Sequence, residues 1–185
     1  MKIVFLDIET TNLSATQGIG FILCASMKVA GGGHAVYTTR IDDSKNYKKC
    51  LYSDTVVIDG IAKWLHTEDP DWIVHYNGDY FDIPYINSRL LGAGKRVLPP
   101  CRYIDHWKTS RYKLKLHSHS LDAMATHLSV KHKKTRYDPV VWQRAAFGSK
   151  PDLDKIVHHC ELDVQVLEDC HHKVVPLLRS LKGIY

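Results

Sequence analysis

Asp7 and Glu9 stand two residues apart at the end of an apolar run, FLDIETT, residues 5–11. In a strand that spacing puts both carboxylates on one face, together with Ile3 and Phe5. Two negative charges at the end of an otherwise buried strand cost roughly several kcal/mol in desolvation and repulsion, so a cation is expected beside them. A solvated strand end is the plain alternative. A third acid, Asp82, follows Phe81 in HYNGDYFDIPYINSRL, after a strand and a turn and at the mouth of a helix; there the helix dipole alone would favour an acid. Asp79 in the same stretch reads as a turn residue. The fourth acid is Asp163. At about 100° per residue, Leu153, Ile156, Val157, Cys160, Val164 and Leu167 form one apolar stripe, and Asp163 falls inside it. A buried salt bridge to an arginine would satisfy this acid, and so would a metal shared with Asp7, Glu9 and Asp82. Glu161, Glu168 and Asp169 fall toward the outside and read as surface charge.

An all-oxygen carboxylate set suits hard divalent ions, Mg²⁺ or Mn²⁺, rather than zinc. Two such ions about 4 Å apart would clamp the attacking water and the leaving oxygen of a phosphodiester, the two-metal route to hydrolysis. The twelve histidines include HHC at 158–160 and CHH at 170–172. Cys160 and Cys170, however, are roughly 15 Å apart along one helix, too far to share one tetrahedral ion. His66, His75, His106, His117, His119, His127 and His132 are expected as surface, core or phosphate-contacting groups.

The elements that must position these acids follow from periodicity. KIVFLDI (2–8) and FILCASMKV (21–29) read as strands. The second turns through Gly31, Gly32 and Gly33 into AVYTTR (35–40), an antiparallel hairpin. Val57, Ile58, Ile61, Trp64 and Leu65 recur at helical spacing, which predicts an amphipathic helix over 55–66, ended before Pro70. DWIVHY (71–76) is a short strand, Asn77 and Gly78 a turn, and Pro84 suits the first turn of a helix that Gly92 and Gly94 stop. CRYID is a short extended piece leading into a basic segment. SLDAMATHL is a small helix with Ser120 as N-cap, and DPVVWQRAAFG (138–148) is another. The last helix starts at SKPD, where Ser149 and Asp152 have capping-box spacing, and runs to about Leu181 unless Pro176 splits it. The predicted fold is α/β: a mixed sheet with an antiparallel N-terminal hairpin, flanked by helices, in a single domain over 1–185.

At 185 residues, 44% hydrophobic and 24% charged, the chain lies in the globular range. No apolar run approaches the ~18 residues of a membrane span and no cleavable signal pattern opens the chain, so a soluble, cytoplasmic protein is expected. Five scattered cysteines, Cys24, Cys50, Cys101, Cys160 and Cys170, never spaced as C-x-x-C, point to reduced thiols. The net charge of +5 is uneven: residues 102–136 hold nine Lys or Arg against two acids, a local +7, which leaves −2 for the rest. Such a segment suits a polyanion, because each neutralised phosphate releases counterions; a solvated loop is the alternative. Lys113, Lys115, Lys131, Lys133, Lys134 and Arg136 are candidates for a backbone-contacting track, with Trp107, Tyr112 and Tyr137 as stacking surfaces. The partner class is nucleic acid, not membrane.

DIETT at 7–11, PDWIVHYNGDYFDIPYINSRL at 70–90 and HHCELDV at 158–164 resemble, in order, the three exonuclease motifs of the DEDD superfamily of 3′→5′ exonucleases. The second stretch, with Asn77, Phe81 and Asp82 in N-x-x-x-F-D spacing, is most similar to the proofreading exonuclease domain of family B DNA polymerases and to stand-alone phage or bacterial relatives. SLDAMATHLSVKHKK resembles the segment before the third motif. The resemblance implies an RNase H-like fold and two-metal hydrolysis of DNA from a 3′ end, releasing nucleoside monophosphates. It implies Asp7, Glu9, Asp82 and Asp163 as ligands of two Mg²⁺ or Mn²⁺ ions. It also implies Asn77 and Phe81 around the terminal nucleotides, Leu13 as a wedge, and a nucleic-acid contact from Thr10 in the first motif. The remaining length holds no polymerase, so any proofreading role implies a replication or repair partner in trans.

One position departs from the pattern. The tyrosine branch of the family places Tyr four before the last Asp and the histidine branch places His five before it; here both are histidine, His159 and His158. On a continuous helix the −4 position is about 40° from Asp163 and the −5 position about 140° away, which favours His159. His158 would face the acids if the helix begins or bends near Cys160. Either imidazole, with a pKa of about 6.5, suits a general base near neutral pH. Two other readings stay open: an exoribonuclease trimming RNA 3′ ends, and a non-catalytic nucleic-acid-binding module of the same fold. A negative cluster facing phosphates speaks against the second.

Overall fold

β1, Ile3–Thr10, sends Val4, Leu6 and Ile8 into one core and Ile3 and Phe5 into another, so it is buried on both faces. The computed structural model describes residues 1–15, 20–39 and 53–179; Arg40, Cys50 and Leu181, named above, lie outside them. β2, Ile22–Val29, runs antiparallel to β1 and turns back into β3, His34–Thr38. Gly31 supplies the positive φ, +66°, that this turn needs. β4, Trp72–His75, and β5, Arg102–Asp105, lie parallel on the other side, giving the order β3-β2-β1-β4-β5. This is the mixed sheet with an N-terminal hairpin that the periodicity predicts.

α1, Thr55–Glu68, and α2, Asp82–Gly92, cover the face that receives Val4, Leu6 and Ile8. Arg89 forks onto the buried Asp54 at 2.8 and 2.7 Å, and Asp54 also accepts from the Ile22 N–H at 3.0 Å. That one carboxylate ties both helices to β2. The opposite face, around Phe5 and Val74, is covered by α4, Leu121–His127, and α6, Lys150–Arg179. α5, Val140–Ala146, packs against α6 and β2 through Val141, Ala145, Leu153, Leu23 and Cys24. Ser120 caps α4 by accepting from the Ala123 N–H at 3.2 Å, and α6 runs unbroken through Pro176. No helix among the described residues is long and apolar enough to cross a membrane.

Two readings of the sequence are corrected. The basic segment contains a helix, α3, His106–Lys113, whose buried residues are His106, Thr109 and Ser110, so no apolar stripe announces it. Hydrogen bonds hold its inner face instead: His106 Nε2 lies 2.9 Å from His171 Nδ1, and Ser110 Oγ lies 2.9 Å from His119 Nδ1. Glu168 and Asp169 are not plain surface charge. Glu168 is buried against Lys28, and Asp169 Oδ2 accepts from both the backbone N–H and Nδ1 of His132, at 3.0 and 2.9 Å.

Burial pushes the imidazoles of His106 and His171 down to about 3 and about 4. The unfolded chain takes up these protons from about pH 6.5 downward while the folded chain resists them, so stability drains away between about pH 6.5 and about pH 3. Thermal unfolding across that range should fall more steeply in the wild type than in His171→Asn. Gly60 on α1 faces the Tyr37 ring of β3, where a Cβ would come within 2.3 Å. Gly60→Ala should therefore lower stability by about 1–3 kcal/mol in urea titrations, although it would raise helix propensity by ~1 kcal/mol.

Candidate active site

The odd face of β1 points at α6, and this brings the first two acids to the fourth. Cys160 Sγ on α6 donates to the backbone oxygen of Asp7 at 3.4 Å, and Asp163 lies three residues further along the same helix face. Asp82, in the first turn of α2, arrives from the other side: its Oδ1 accepts from the Ile8 N–H at 3.1 Å, between Asp7 and Glu9 in sequence. A break in the β1–β2 register falls between Glu9 and Thr10, in the last step of the strand. Three elements thus deliver four carboxylates to one place.

The electrostatics record the crowding. Burial, then the charges of Asp163 and Glu9, hold the Asp7 carboxyl well above the usual carboxylate range. Burial lifts Glu9 to about 7 against the opposing hydrogen bond from Trp142, and burial together with Asp7 lifts Asp82 to about 8. Oδ2 of Asp7 and Oδ1 of Asp163 are shut off from solvent and accept no hydrogen bond from the described residues. Hard carboxylate oxygens from four acids, those two of them orphaned, fit Mg²⁺ or Mn²⁺. Lys134 is the cation that does reach them, pairing with Asp163. Burial works against its ammonium, but Asp163, Asp7 and Glu9 outweigh that and raise its pKa.

His159 completes the cluster. Its Nε2 is 3.7 Å from Glu9 Oε1 and 3.8 Å from Asp163 Oδ2, and Thr135 Oγ1 sits 2.6 Å from its Nδ1. Burial lowers its pKa. His158, by contrast, is exposed, because α6 is already continuous at that point. Trp142, which no sequence signal singles out, donates from Nε1 to Glu9 Oε2 at 2.7 Å and sets its ring edge-on to His159 at 5.5 Å. Thr135 carries no signal either; both act across tertiary contacts.

A groove of about 470 Å³ opens beside the acids, with Glu9, Thr10, Leu13, Phe81, Tyr137 and Trp142 among its walls. Leu13 stands 85% exposed at its edge. Asn77 is not in this groove but in a neighbouring one, so the pair Asn77 and Phe81 divides between two concavities. The basic track divides as well. Lys113, Lys115, Lys131 and Lys133 are exposed, whereas Lys134 turns into the acids and Arg136 pairs with Asp122.

Among the described residues, ligand atoms of Glu9, His159 and Asp163 lie within 4.8 Å of one another, and so do those of a second group, His75, Asp79 and Asp105. The Gly78 N–H donates to His75 Nδ1 at 3.2 Å, which leaves the ring proton, not a lone pair, on Nε2. Asp105 Oδ1 is taken by the N–H groups of Asn77 and Trp107, at 2.8 and 2.9 Å. This group clamps the loop after β4: it holds Asn77 at φ 62°, and a Cβ on Gly78 would come within 2.5 Å of the His75 ring.

Residues 4–175 match the model of the RNase_H superfamily. Over 100 residues the chain is 31% identical to a DNA polymerase of Pyrococcus horikoshii, covering 52% of this chain and 8% of that one. Over 93 residues it is 31% identical to DNA polymerase 1 of Pyrococcus abyssi, covering 50% and 12%. The chain therefore spans about a tenth of the length of these relatives. The structure of the family B DNA polymerase from the hyperthermophilic archaeon Pyrobaculum calidifontis superposes with a TM-score of 0.73 at 19% identity, over 96% of this chain and 25% of that one.

A buried acid whose pKa is raised weakens the fold above its unfolded pKa, and the penalty fades as pH falls toward about 4. In metal-free protein, Asp82→Asn should thus raise stability by about 1–3 kcal/mol at pH 8 and by less at pH 5, measured by denaturant unfolding in EDTA. Added Mg²⁺ or Mn²⁺ should stabilise the wild type more than the variant.

Proposed function

Because this chain belongs to the RNase H superfamily, we propose that it is a metal-dependent 3′→5′ exonuclease that removes nucleoside monophosphates from DNA. One observation carries the reading: Asp7, Glu9, Asp82 and Asp163, from three separate elements, converge with buried oxygen atoms left unbonded. No folding requirement explains such a concentration, since each raised carboxyl weakens the fold in which it sits. The likeness of the three ordered motifs to DEDD exonucleases supports attack at a 3′ end. The similarity to DNA polymerases supports DNA as the substrate.

The side chains divide the work. Asp7, Glu9, Asp82 and Asp163 would hold Mg²⁺ or Mn²⁺, which when bound would supply Lewis-acid charge to a phosphodiester displacement. His159 receives the proton of the attacking water at Nε2, which faces Glu9 and Asp163. Thr135 at Nδ1 orients that ring, and Trp142 fixes the Oε2 edge of Glu9 while leaving Oε1 toward the cluster. Phe81 and Leu13, at the groove beside the acids, receive the terminal base. Within a larger replication or repair assembly, polymerisation would come from another domain or protein.

A 5′-labelled oligonucleotide incubated with Mg²⁺ or Mn²⁺ should yield a ladder shortened from the unlabelled end, and EDTA should abolish it. Asp7→Asn and Asp163→Asn should each reduce the rate by about 10³-fold or more, and His159→Ala by about 10²–10⁴-fold. Undiminished shortening by Asp7→Asn would refute the assignment. The wild-type rate should decline in acid with an apparent pKa at or below about 6.5, following the lowered imidazole, and the residual His159→Ala activity should lack that limb.

A further inference from the structure

Among the described residues, Cys24 and Cys160 are free thiols that face each other directly. Cys24 lies opposite Glu9 in the β1–β2 register, so both side chains leave the same face of the sheet, toward α6. Cys160 stands where α6 crosses this face, one residue after His159 and three before Asp163, with its Sγ 3.4 Å from the backbone oxygen of Asp7. Both are fully buried, in the cluster that joins β2, α5 and α6. Cys101 and Cys170 pack against the other two clusters. The nuclease chemistry uses neither Cys24 nor Cys160, although each lies against the strand that carries Asp7 and Glu9.

Two thiols facing each other in an apolar shell have one covalent option, a disulfide. The neighbouring thiol of Cys160 lowers Cys24, but burial and the charges of Glu9 and Asp7 outweigh it and raise its pKa; burial, then Cys24, hold Cys160 well above the usual thiol range. Both therefore rest as neutral thiols. Burial slows their oxidation without barring it, since reaction waits for local opening of the fold. A disulfide is neutral too, so it fits the same shell without the charge that the carboxylates oppose. With a peroxide as oxidant, one thiol, deprotonated in the opened state, attacks a peroxide oxygen. The O–O bond breaks, hydroxide leaves with the thiol's proton as water, and the sulfur becomes a sulfenic acid. The second thiol then attacks that sulfur: the S–S bond forms, the S–O bond breaks, and a second water leaves. The two sulfurs lose two electrons and the peroxide gains them.

We propose that Cys24 and Cys160 form a redox switch on the acid cluster: their disulfide draws α6 toward β2, shifts Asp163 and His159 relative to Asp7 and Glu9, and weakens metal binding. An S–S bond is about 2.05 Å long, against roughly 3.5–4 Å for two thiols in contact, so the sulfurs close by about 1.5–2 Å. Oxidation also removes the proton that Cys160 donates to the Asp7 oxygen. α6 is unbroken from Lys150 to Arg179, so a displacement at Cys160 is carried to His159 and Asp163. A misplacement of about 1 Å costs about 10²-fold in a reacting geometry. By linkage, a bound ion favours the dithiol in the same proportion: each tenfold loss of ion affinity on oxidation corresponds to about 30 mV in the reduction potential of the pair. The inference rests on the metal-dependent exonuclease reading for what the switch controls.

The full chain, freed of metal in EDTA and treated with hydrogen peroxide, should yield on digestion without reductant a linked peptide pair containing Cys24 and Cys160. Once peroxide and EDTA are removed, Mn²⁺ affinity measured by electron paramagnetic resonance should be about tenfold weaker or more in the oxidised protein, and should return with dithiothreitol. Cys24→Ala should bind Mn²⁺ equally before and after peroxide. Cys160→Ala, read for the same insensitivity to peroxide, keeps the test valid if Cys24→Ala misfolds. Links among other cysteines but not this pair, or a Cys24–Cys160 link that leaves Mn²⁺ affinity unchanged, would overturn the proposal. Oligonucleotide shortening assayed in Mg²⁺ keeps the two readings apart: shortening that is the same in the linked and reduced protein removes the switch and leaves the nuclease. Mn²⁺ binding that follows the redox state, without shortening in either state, does the reverse.

Discussion

Four carboxylates held close together and away from water repel one another, and this repulsion sets the terms for the surrounding structure. Desolvation dominates for Asp7, Glu9 and Asp82, and mutual charge adds to it. Such a cluster persists only where the framework over-determines it. Here the framework is a strand buried on both faces, a long helix packed across it, and a helix start whose acid is fastened to that strand's backbone at 3.1 Å.

The loop between α4 and α5 shows how the remaining charge is managed. It is laced along α6 in order: His132 to Asp169, Lys134 to Asp163, and Thr135 to His159; Arg136 turns instead to Asp122 on α4. Alternate residues Lys131 and Lys133 stay exposed. One basic segment therefore divides its cations between internal neutralisation of the acids and a surface free to meet phosphates. A lysine side chain supplies the first without rigid geometry, because its ammonium is a mobile point charge.

The far edge of the sheet is built on different physics. α3 has no apolar stripe and is docked by histidine and hydroxyl contacts, and the loop after β4 is fixed by His75, Asp79 and Asp105. Polar docking leaves the outer side of α3 exposed, with Arg111, Tyr112 and Lys113 on it and Trp107 half-buried. The two grooves then differ in kind: one opens beside the four carboxylates, the other offers aromatic walls and neutralised acids.

Local periodicity was enough to read much of this from the chain. A repeat of two put Asp7 and Glu9 on the face of Phe5, and a repeat of 3.6 put Asp163 on the buried stripe of α6, because both depend only on near neighbours. The same arithmetic separated His159 from His158, given a helix that does not break between them. α3 escaped, since a helix docked by hydrogen bonds has no apolar period to detect. Glu168 read as surface until Lys28, 140 residues away, was packed against it, and Trp142 meets Glu9 across 133 residues. The division of Asn77 from Phe81, and of Lys134 from its basic neighbours, likewise belongs to tertiary structure alone. Those outcomes depend on which distant side chains arrive at the same place, and no local spacing encodes that.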